Sequence, residues 1–217
     1  MGSRLSDQVL LSRIRSVKPV ANADARFETA IRAGVRGLWN GALTFEQARN
    51  QLGRAVITGF TRAFHAGLED VGIMPSEMTV EETEALNAMI SQSISRIEQF
   101  LRDVDERDRA SGAKLGPHLS RADIWINRYD EVQNLARQMA GEDEKLKWVV
   151  DPFKEHCVDC LKLDGKVKRA SQWRDYGIRP RAQSLACGGW RCGCELVPTD
   201  DPLSKGPLPS ITGATLL

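Results

Sequence analysis

Apolar residues recur at helical spacing through the first two thirds of the chain. Positions three or four residues apart lie on one face of a helix, so such stripes predict helices that each bury one side. The stripes are Phe27, Ile31, Val35 and Leu38; Phe45, Ala48, Leu52, Val56, Phe60, Phe64 and Leu68; Leu86, Ile90, Ile94, Ile97, Leu101 and Val104; and Trp125, Tyr129, Val132, Ala136 and Met139. They predict a helical body over residues 1–147, arranged either as a bundle or as an elongated arm.

Capping and breaking signals set the limits of these helices. A capping box satisfies backbone amides of the first turn with two side chains three residues apart. Such boxes stand at two places: Thr44 with Gln47, and Thr79 with Glu82. Two glycines and Pro117 predict a loop near residues 108–118, after which Ser120 begins the last long helix. Gly141 stands where a helix typically ends.

Three glycines interrupt the second stripe. Gly53, Gly59 and Gly67 each cost about 1 kcal/mol relative to alanine inside a helix. Close packing of a neighbouring helix is the favoured explanation for them, and a kink or hinge is the alternative.

The pattern changes after residue 147. KWVVD, residues 147–151, is a short β-branched run that predicts a strand. All five cysteines of the chain follow it, in the order Cys157, Cys160, Cys187, Cys192 and Cys194. Residues 148–200 therefore form a separate cysteine-rich module, and the predicted fold is mainly α with a small, β-rich or irregular C-terminal module.

The spacing of the cysteines favours a metal site. A C-x-x-C turn directs two sulfurs at one cation, and Gly165 lets the chain fold back after it. Cys187, Cys192 and Cys194 offer the remaining ligands for a tetrahedral Zn²⁺. A module of this size has few large apolar groups, and structural zinc supplies about 10–16 kcal/mol of apparent binding free energy. All-sulfur ligation predicts a closed, structural Zn²⁺ site.

Other roles for the cysteines stay open. A redox C-x-x-C would need a βαβ context, and simple buried thiols are a further possibility. One cysteine is surplus to a tetrahedral site, and Cys192 or Cys194 is the expected spare. His156 is a candidate ligand, although its position beside Cys157 predicts that it faces outward.

Composition narrows the function classes. The chain has 217 residues, 41% of them hydrophobic, and a net charge of +1, so no overall field attracts it to nucleic acid or membrane. We expect no signal peptide and no membrane-spanning segment, and hence a location in a reducing cytoplasm where disulfides are disfavoured. We find no nucleophile motif and no phosphate-binding loop in the sequence that would indicate an enzyme.

Charge is concentrated between the cysteine clusters. Residues 162–191 hold eight basic and two acidic side chains, with Trp173, Tyr176 and Trp190 among them. Such a segment can bind phosphate and stack on bases, or it can be a solvated loop whose aromatic residues pack around the metal. The residues predicted to contact DNA are Lys166, Lys168, Arg169, Arg174, Arg179 and Arg181. Docking on an acidic protein surface is also compatible with this charge. Residues 201–217 contain three prolines and predict an extended tail that orders only on a partner.

The order of these parts resembles the head morphogenesis, or minor head, proteins of tailed bacteriophages. The resemblance covers roughly residues 80–200, from a helix that includes RADIWINRYDEVQNLARQMA to a C-x-x-C, an LDGKV turn and a terminal C-x-C-x-L-x-P. The matching positions are Cys157, Cys160, Leu163, Gly165, Val167, Cys192, Cys194, Leu196 and Pro198. Gly189 stands where the family usually has histidine, and Gly193 replaces an arginine. Cys187 could take the place of that missing histidine.

This resemblance implies a non-enzymatic structural component of a virion head. The chain would associate with the phage portal or major capsid protein, and would be found in the host cytoplasm during assembly. The alternative is a zinc-dependent DNA-binding or regulatory protein that uses the basic 162–191 segment. A metal-dependent hydrolase is disfavoured, because it would need an open metal position and a nearby base.

Overall fold

The computed structural model describes residues 25–140, 144–189 and 192–211, and the chain within these ranges is mainly helical, as predicted. Four long helices form the N-terminal part: α1 Ala25–Trp39, α2 Phe45–Asp70, α3 Val80–Glu106 and α4 Leu115–Met139. A 3-10 turn, Pro75–Glu77, lies between α2 and α3. Both predicted capping boxes are present, at Thr44 and at Thr79.

The four helices pack as a bundle around one apolar core. Helix α2 contacts each of the other three helices. The apolar stripes predicted from the sequence face the core that the four helices share. Phe60 and Phe64 of α2 are fully buried, and Phe27 of α1 packs its ring between those of Phe60 and Tyr129. The elongated-arm alternative is therefore wrong, because each apolar face is covered by another helix of the same body.

Two of the three glycines of α2 mark close helix contacts. A Cβ at Gly67 would overlap the Gln133 carbonyl oxygen of α4, and one at Gly59 would lie 2.5 Å from the Phe27 ring. Close packing is confirmed at these two positions. At Gly53, no atom lies within 4 Å of the position that a Cβ would occupy, so close helix packing does not explain this glycine.

The predicted loop at residues 108–118 is shorter than expected. Helix α4 begins at Leu115 rather than at Ser120, so Pro117 lies in its first turn. Proline is tolerated there because first-turn amides have no partner within the helix. The predicted cap at Gly141 lies outside the described residues.

The C-terminal module has a three-stranded antiparallel sheet in the order β2-β1-β3. Its elements are β1 Lys145–Val149, α5 Val158–Leu163, β2 Val167–Arg169, α6 Ala170–Asp175 and β3 Glu195–Pro198. The strand predicted at KWVVD, residues 147–151, is confirmed over residues 147–149, and β1 begins two residues earlier, at Lys145. The module buries its own core, in which Trp148 and Trp173 are both fully covered and 5.7 Å apart between ring centres.

The module includes residues that the sequence assigned to a tail. The Ser204 amide donates to the Val167 carbonyl oxygen, and the Val167 amide donates to Ser204 Oγ. Leu208 and Ile211 are buried in the module core. The prediction of an extended tail from residue 201 is therefore wrong as far as Ile211, because this segment covers apolar surface of the module itself.

The module lies against α4 through polar side chains. Five of them are buried and share one side of the helix; we call them the polar seam: Asp130, Glu131, Asn134, Arg137 and Gln138. Within the seam, Asn134 Oδ1 accepts the Leu196 amide at 2.8 Å, and Arg137 donates to the Leu196 carbonyl at 3.0 Å. Strand β3 is thus hydrogen-bonded directly to the helical bundle.

Among the helices that the structure describes, none has the length and apolar character needed to cross a bilayer.

Candidate metal centre

Three separate segments bring the five cysteines together. Cys157 is the N-cap of α5 and Cys160 lies within that helix. Cys187 lies in the turns that follow α6, and Cys194 directly precedes β3, with Cys192 two residues before it. Cys160, Cys192 and Cys194 are buried, whereas Cys157 and Cys187 are partly exposed. All five are free of disulfides.

The sulfur atoms form two groups that share Cys160. Cys157, Cys160 and Cys187 have their sulfurs within 4.8 Å of one another, and so do Cys160, Cys192 and Cys194. Cys160 Sγ lies 3.4 Å from Cys157 Sγ and 3.5 Å from Cys192 Sγ. Two sulfurs bound to one tetrahedral Zn²⁺ at about 2.3 Å stand about 3.8 Å apart. The cysteine clusters can therefore hold a metal ion.

The thiols influence one another's ionisation. Hydrogen bonds from Cys160, Cys187 and Cys194 lower the pKa of the Cys192 thiol, while contacts in the same cluster raise the pKa of Cys160. Burial raises the pKa of Cys157, but hydrogen bonds with Cys160 and Cys187 outweigh it and leave that pKa below its ordinary value. Packed thiols cannot all ionise alone, and a cation that replaces their protons removes this repulsion.

The imidazole of His156 faces the cluster. Its Nδ1 lies 3.8 Å from Cys194 Sγ, and its Nε2 lies 2.6 Å from the Asp151 carbonyl oxygen. The prediction that His156 points outward is therefore wrong, because the backbone carbonyl fixes the ring toward Cys194. The position of His156 directly before the C-x-x-C marked it as a candidate ligand in the sequence. The identity of the neighbouring residues does not determine which way its ring points.

The indole of Trp148 also bears on the cluster. Trp148 is fully buried, and within the described residues its Nε1 has no hydrogen-bond partner. Although contact with Cys160 lowers it, contact with Cys192 and burial leave the pKa of the Cys194 thiol above its ordinary value, and the nearby Trp148 indole opposes this rise. An ionised, metal-bound Cys194 would supply the acceptor that this N–H lacks.

Backbone geometry favours glycine at two positions of the cysteine-rich module, Gly189 and Gly193. Gly189 has φ of +75°, and a Cβ there would overlap the Arg181 carbonyl oxygen. A histidine at this position would be incompatible with the backbone of this chain. At Gly193 a side chain would collide with Asp151, whose Cβ lies 2.5 Å from the point that an added methyl group would occupy.

Several basic residues of the 162–191 segment have partners inside the protein. Lys168 is buried and donates to the carbonyl oxygens of Ser204 and Gly206. Arg179 pairs with Glu131 at 3.0 Å, and Arg181 is buried against Asp130 at 2.5 Å. Part of the predicted basic face is thus used to attach the module to α4 and to its own C-terminal segment.

The other three residues predicted to contact DNA lie at or near the surface. Arg174 is exposed, while Lys166 and Arg169 are half-buried. Of the aromatic residues, Trp173 belongs to the core, Tyr176 is 46% exposed, and Trp190 lies outside the described residues. Packing in the core, rather than base stacking, accounts for Trp173.

A comparison with protein-family models found no match, and comparisons with curated proteins and with solved structures found none. The resemblance to phage head proteins therefore stays a prediction from the sequence.

Proposed function

We propose that the chain is a non-enzymatic structural protein of a tailed-phage head, a minor capsid or head morphogenesis protein, with structural zinc in its C-terminal module. The observation that supports this most is the convergence of cysteines from three segments on one small region of the module. Metal bound there would join α5, the turns after α6 and the start of β3. Thiolate ligands favour Zn²⁺ among the metals available to such a site.

The residues of the phage motif have structural roles in this module. Leu163 and Leu196 are fully buried in its core, and Val167 lies in β2. Gly165 has φ of +72° and donates its amide to the Trp148 carbonyl oxygen, which closes the turn before β2. A motif whose members hold a compact unit together suits an adaptor better than a catalyst. In the proposed role, the bundle docks on portal or major capsid protein and the module presents a rigid surface.

Analysis of particles tests this role. In the virus or prophage that encodes the chain, quantitative mass spectrometry should detect it in heads or procapsids, at few copies per particle. Loss of the gene should lower the yield of DNA-filled heads seen by electron microscopy, and expression of the wild-type chain should restore that yield. A Cys160→Ser chain should restore it poorly. Normal heads without the gene, together with absence of the chain from every particle, would contradict the proposal.

DNA binding through the basic segment remains the alternative. Fewer basic side chains could contact DNA than the charge count alone predicts, because Lys168, Arg179 and Arg181 have partners inside the protein. Fluorescence anisotropy with duplex DNA at several salt concentrations distinguishes the two functions. Affinity that falls steeply with salt would favour DNA binding, and it should then drop when Lys166 and Arg174 are both replaced by glutamine.

A further inference from the structure

The geometry points to a two-ion centre, in which the Cys160 thiolate bridges two zinc ions and His156 completes the coordination of one of them. This inference rests on the proposed metal-binding role and specifies its ligands. It starts from the two groups of sulfurs that share Cys160 and no other member. A single tetrahedral ion would need four mutually close donors, and the described cysteines provide two sets of three instead.

The inner ion would lie among buried ligands. Cys160, Cys192 and Cys194 supply three sulfurs, all from buried residues. His156 Nδ1, 3.8 Å from Cys194 Sγ, is near the distance of about 3.5 Å expected when nitrogen and sulfur share a tetrahedral Zn²⁺. Its Nε2 faces the Asp151 carbonyl, the contact that typically orients a metal-binding histidine. His156 does not lie within 4.8 Å of all three sulfurs in the structure, so its ring would shift toward the inner ion to complete a set of one nitrogen and three sulfurs.

A second observation supports the inner position. The Trp148 indole N–H is buried without a hydrogen-bond partner in the described residues, and it lies beside Cys194. An N–H donated to a metal-bound sulfur is a common outer contact of zinc–thiolate centres. This group would otherwise carry the cost of an unsatisfied buried donor.

The outer ion would be bound by Cys157, Cys160 and Cys187. Two of these residues are partly exposed, so water can occupy the fourth position. Five thiolates around one dication would leave a buried excess of negative charge, and a second dication neutralises most of it. The outer ion should exchange with a chelator more readily than the inner one, because solvent reaches it.

Native mass spectrometry of the zinc-loaded full chain counts the ions. Wild-type protein should carry two zinc ions. A mild chelator should remove the outer ion first, and the module should then stay protected from hydrogen exchange. Cys157→Ser and Cys187→Ser should each retain one ion, and Cys160→Ser should retain none. His156→Asn should lose the inner ion, His156→Cys should restore it, and His65→Asn, on α2 in the bundle, should keep both.

Cobalt(II) substitution tests the bridge directly. Two high-spin Co²⁺ ions that share a thiolate couple antiferromagnetically, so the paramagnetic resonance signal per cobalt should fall as the second equivalent binds. A saturated wild-type protein with one ion would overturn the two-ion inference and leave the structural zinc proposal intact. A protein that binds no zinc would overturn both. Two ions without loss of signal would exclude the bridge, and two ions in His156→Asn would exclude that ligand.

Discussion

Two glycines of α2 that look alike in the sequence have opposite surroundings. At Gly67, an added methyl group would meet the Gln133 carbonyl oxygen and the Ala136 side chain of α4. At Gly53, nothing lies within 4 Å of the same point. The first glycine permits two helices to approach, whereas the second only weakens its own helix.

Substitution by alanine should therefore have opposite effects at these positions. We expect Gly67→Ala to destabilise the protein by about 1–3 kcal/mol, because the helices must separate. Gly53→Ala should stabilise it by about 0.5–1 kcal/mol through helix propensity. Denaturant unfolding followed by circular dichroism measures both. Equal effects of the two substitutions would contradict the assigned α2–α4 contact.

Among the elements, α4 connects the bundle with the module. Arg137, which is 6% exposed, donates to Asp70 on α2 and to the Leu196 carbonyl of β3. Arg137 is buried, whereas Asp70 is exposed to solvent, so the main cost of removing the guanidinium is the loss of its hydrogen bond to the buried Leu196 carbonyl. Arg137→Ala should thus cost about 1–3 kcal/mol.

An exposed arginine is the matched control. Arg102 makes a surface pair with Glu98 one helical turn away and lies over the Phe45 ring, so Arg102→Ala should change stability by less than about 1 kcal/mol. Thermal unfolding of both variants tests the comparison. If Arg137→Ala unfolds like Arg102→Ala, the polar seam does not hold the module in place.

The segment after β3 behaves as part of the module in the structure. Leu208 is 8% exposed, while Leu203 is 40% exposed. Leu208→Ala should cost about 2–3 kcal/mol, whereas Leu203→Ala should be nearly neutral. Chemical unfolding monitored by tryptophan fluorescence separates them, since Trp148 and Trp173 report on this core. If both substitutions change stability equally little, the segment after β3 does not pack as part of the module core.

Local signals in the sequence predict the structure well where the structure itself is local. The capping boxes at Thr44 and Thr79, and the stripes behind them, depend on contacts within one or two turns. Prediction failed where distant residues decide the outcome. Pro117 looks like a helix breaker until its first-turn position is known, and Leu208 looks like a tail residue until the core it covers is visible. The clustering of the cysteines was predictable from spacing, but the direction of His156 depends on the Asp151 carbonyl.

The molecule as a whole contains two separate apolar cores. The bundle buries long apolar faces from four helices, and its core excludes the cysteines. The module core is smaller; Cys160, Cys192 and Cys194 belong to it, and Cys157 and Cys187 pack against it. Structural zinc typically supplies about 10–16 kcal/mol of apparent binding free energy, so if the module binds zinc as proposed, removal of the metal should unfold the module and spare the bundle.

Hydrogen exchange read by mass spectrometry, on the metal-loaded chain and after complete chelation, tests whether zinc holds the module together. We expect peptides from residues 144–211 to lose their protection when the metal is removed, and peptides from α1–α3 to keep theirs. Readdition of zinc should restore the protection. A module that stays protected without metal, or a purified chain that binds no zinc, would contradict the structural role of the cysteine cluster.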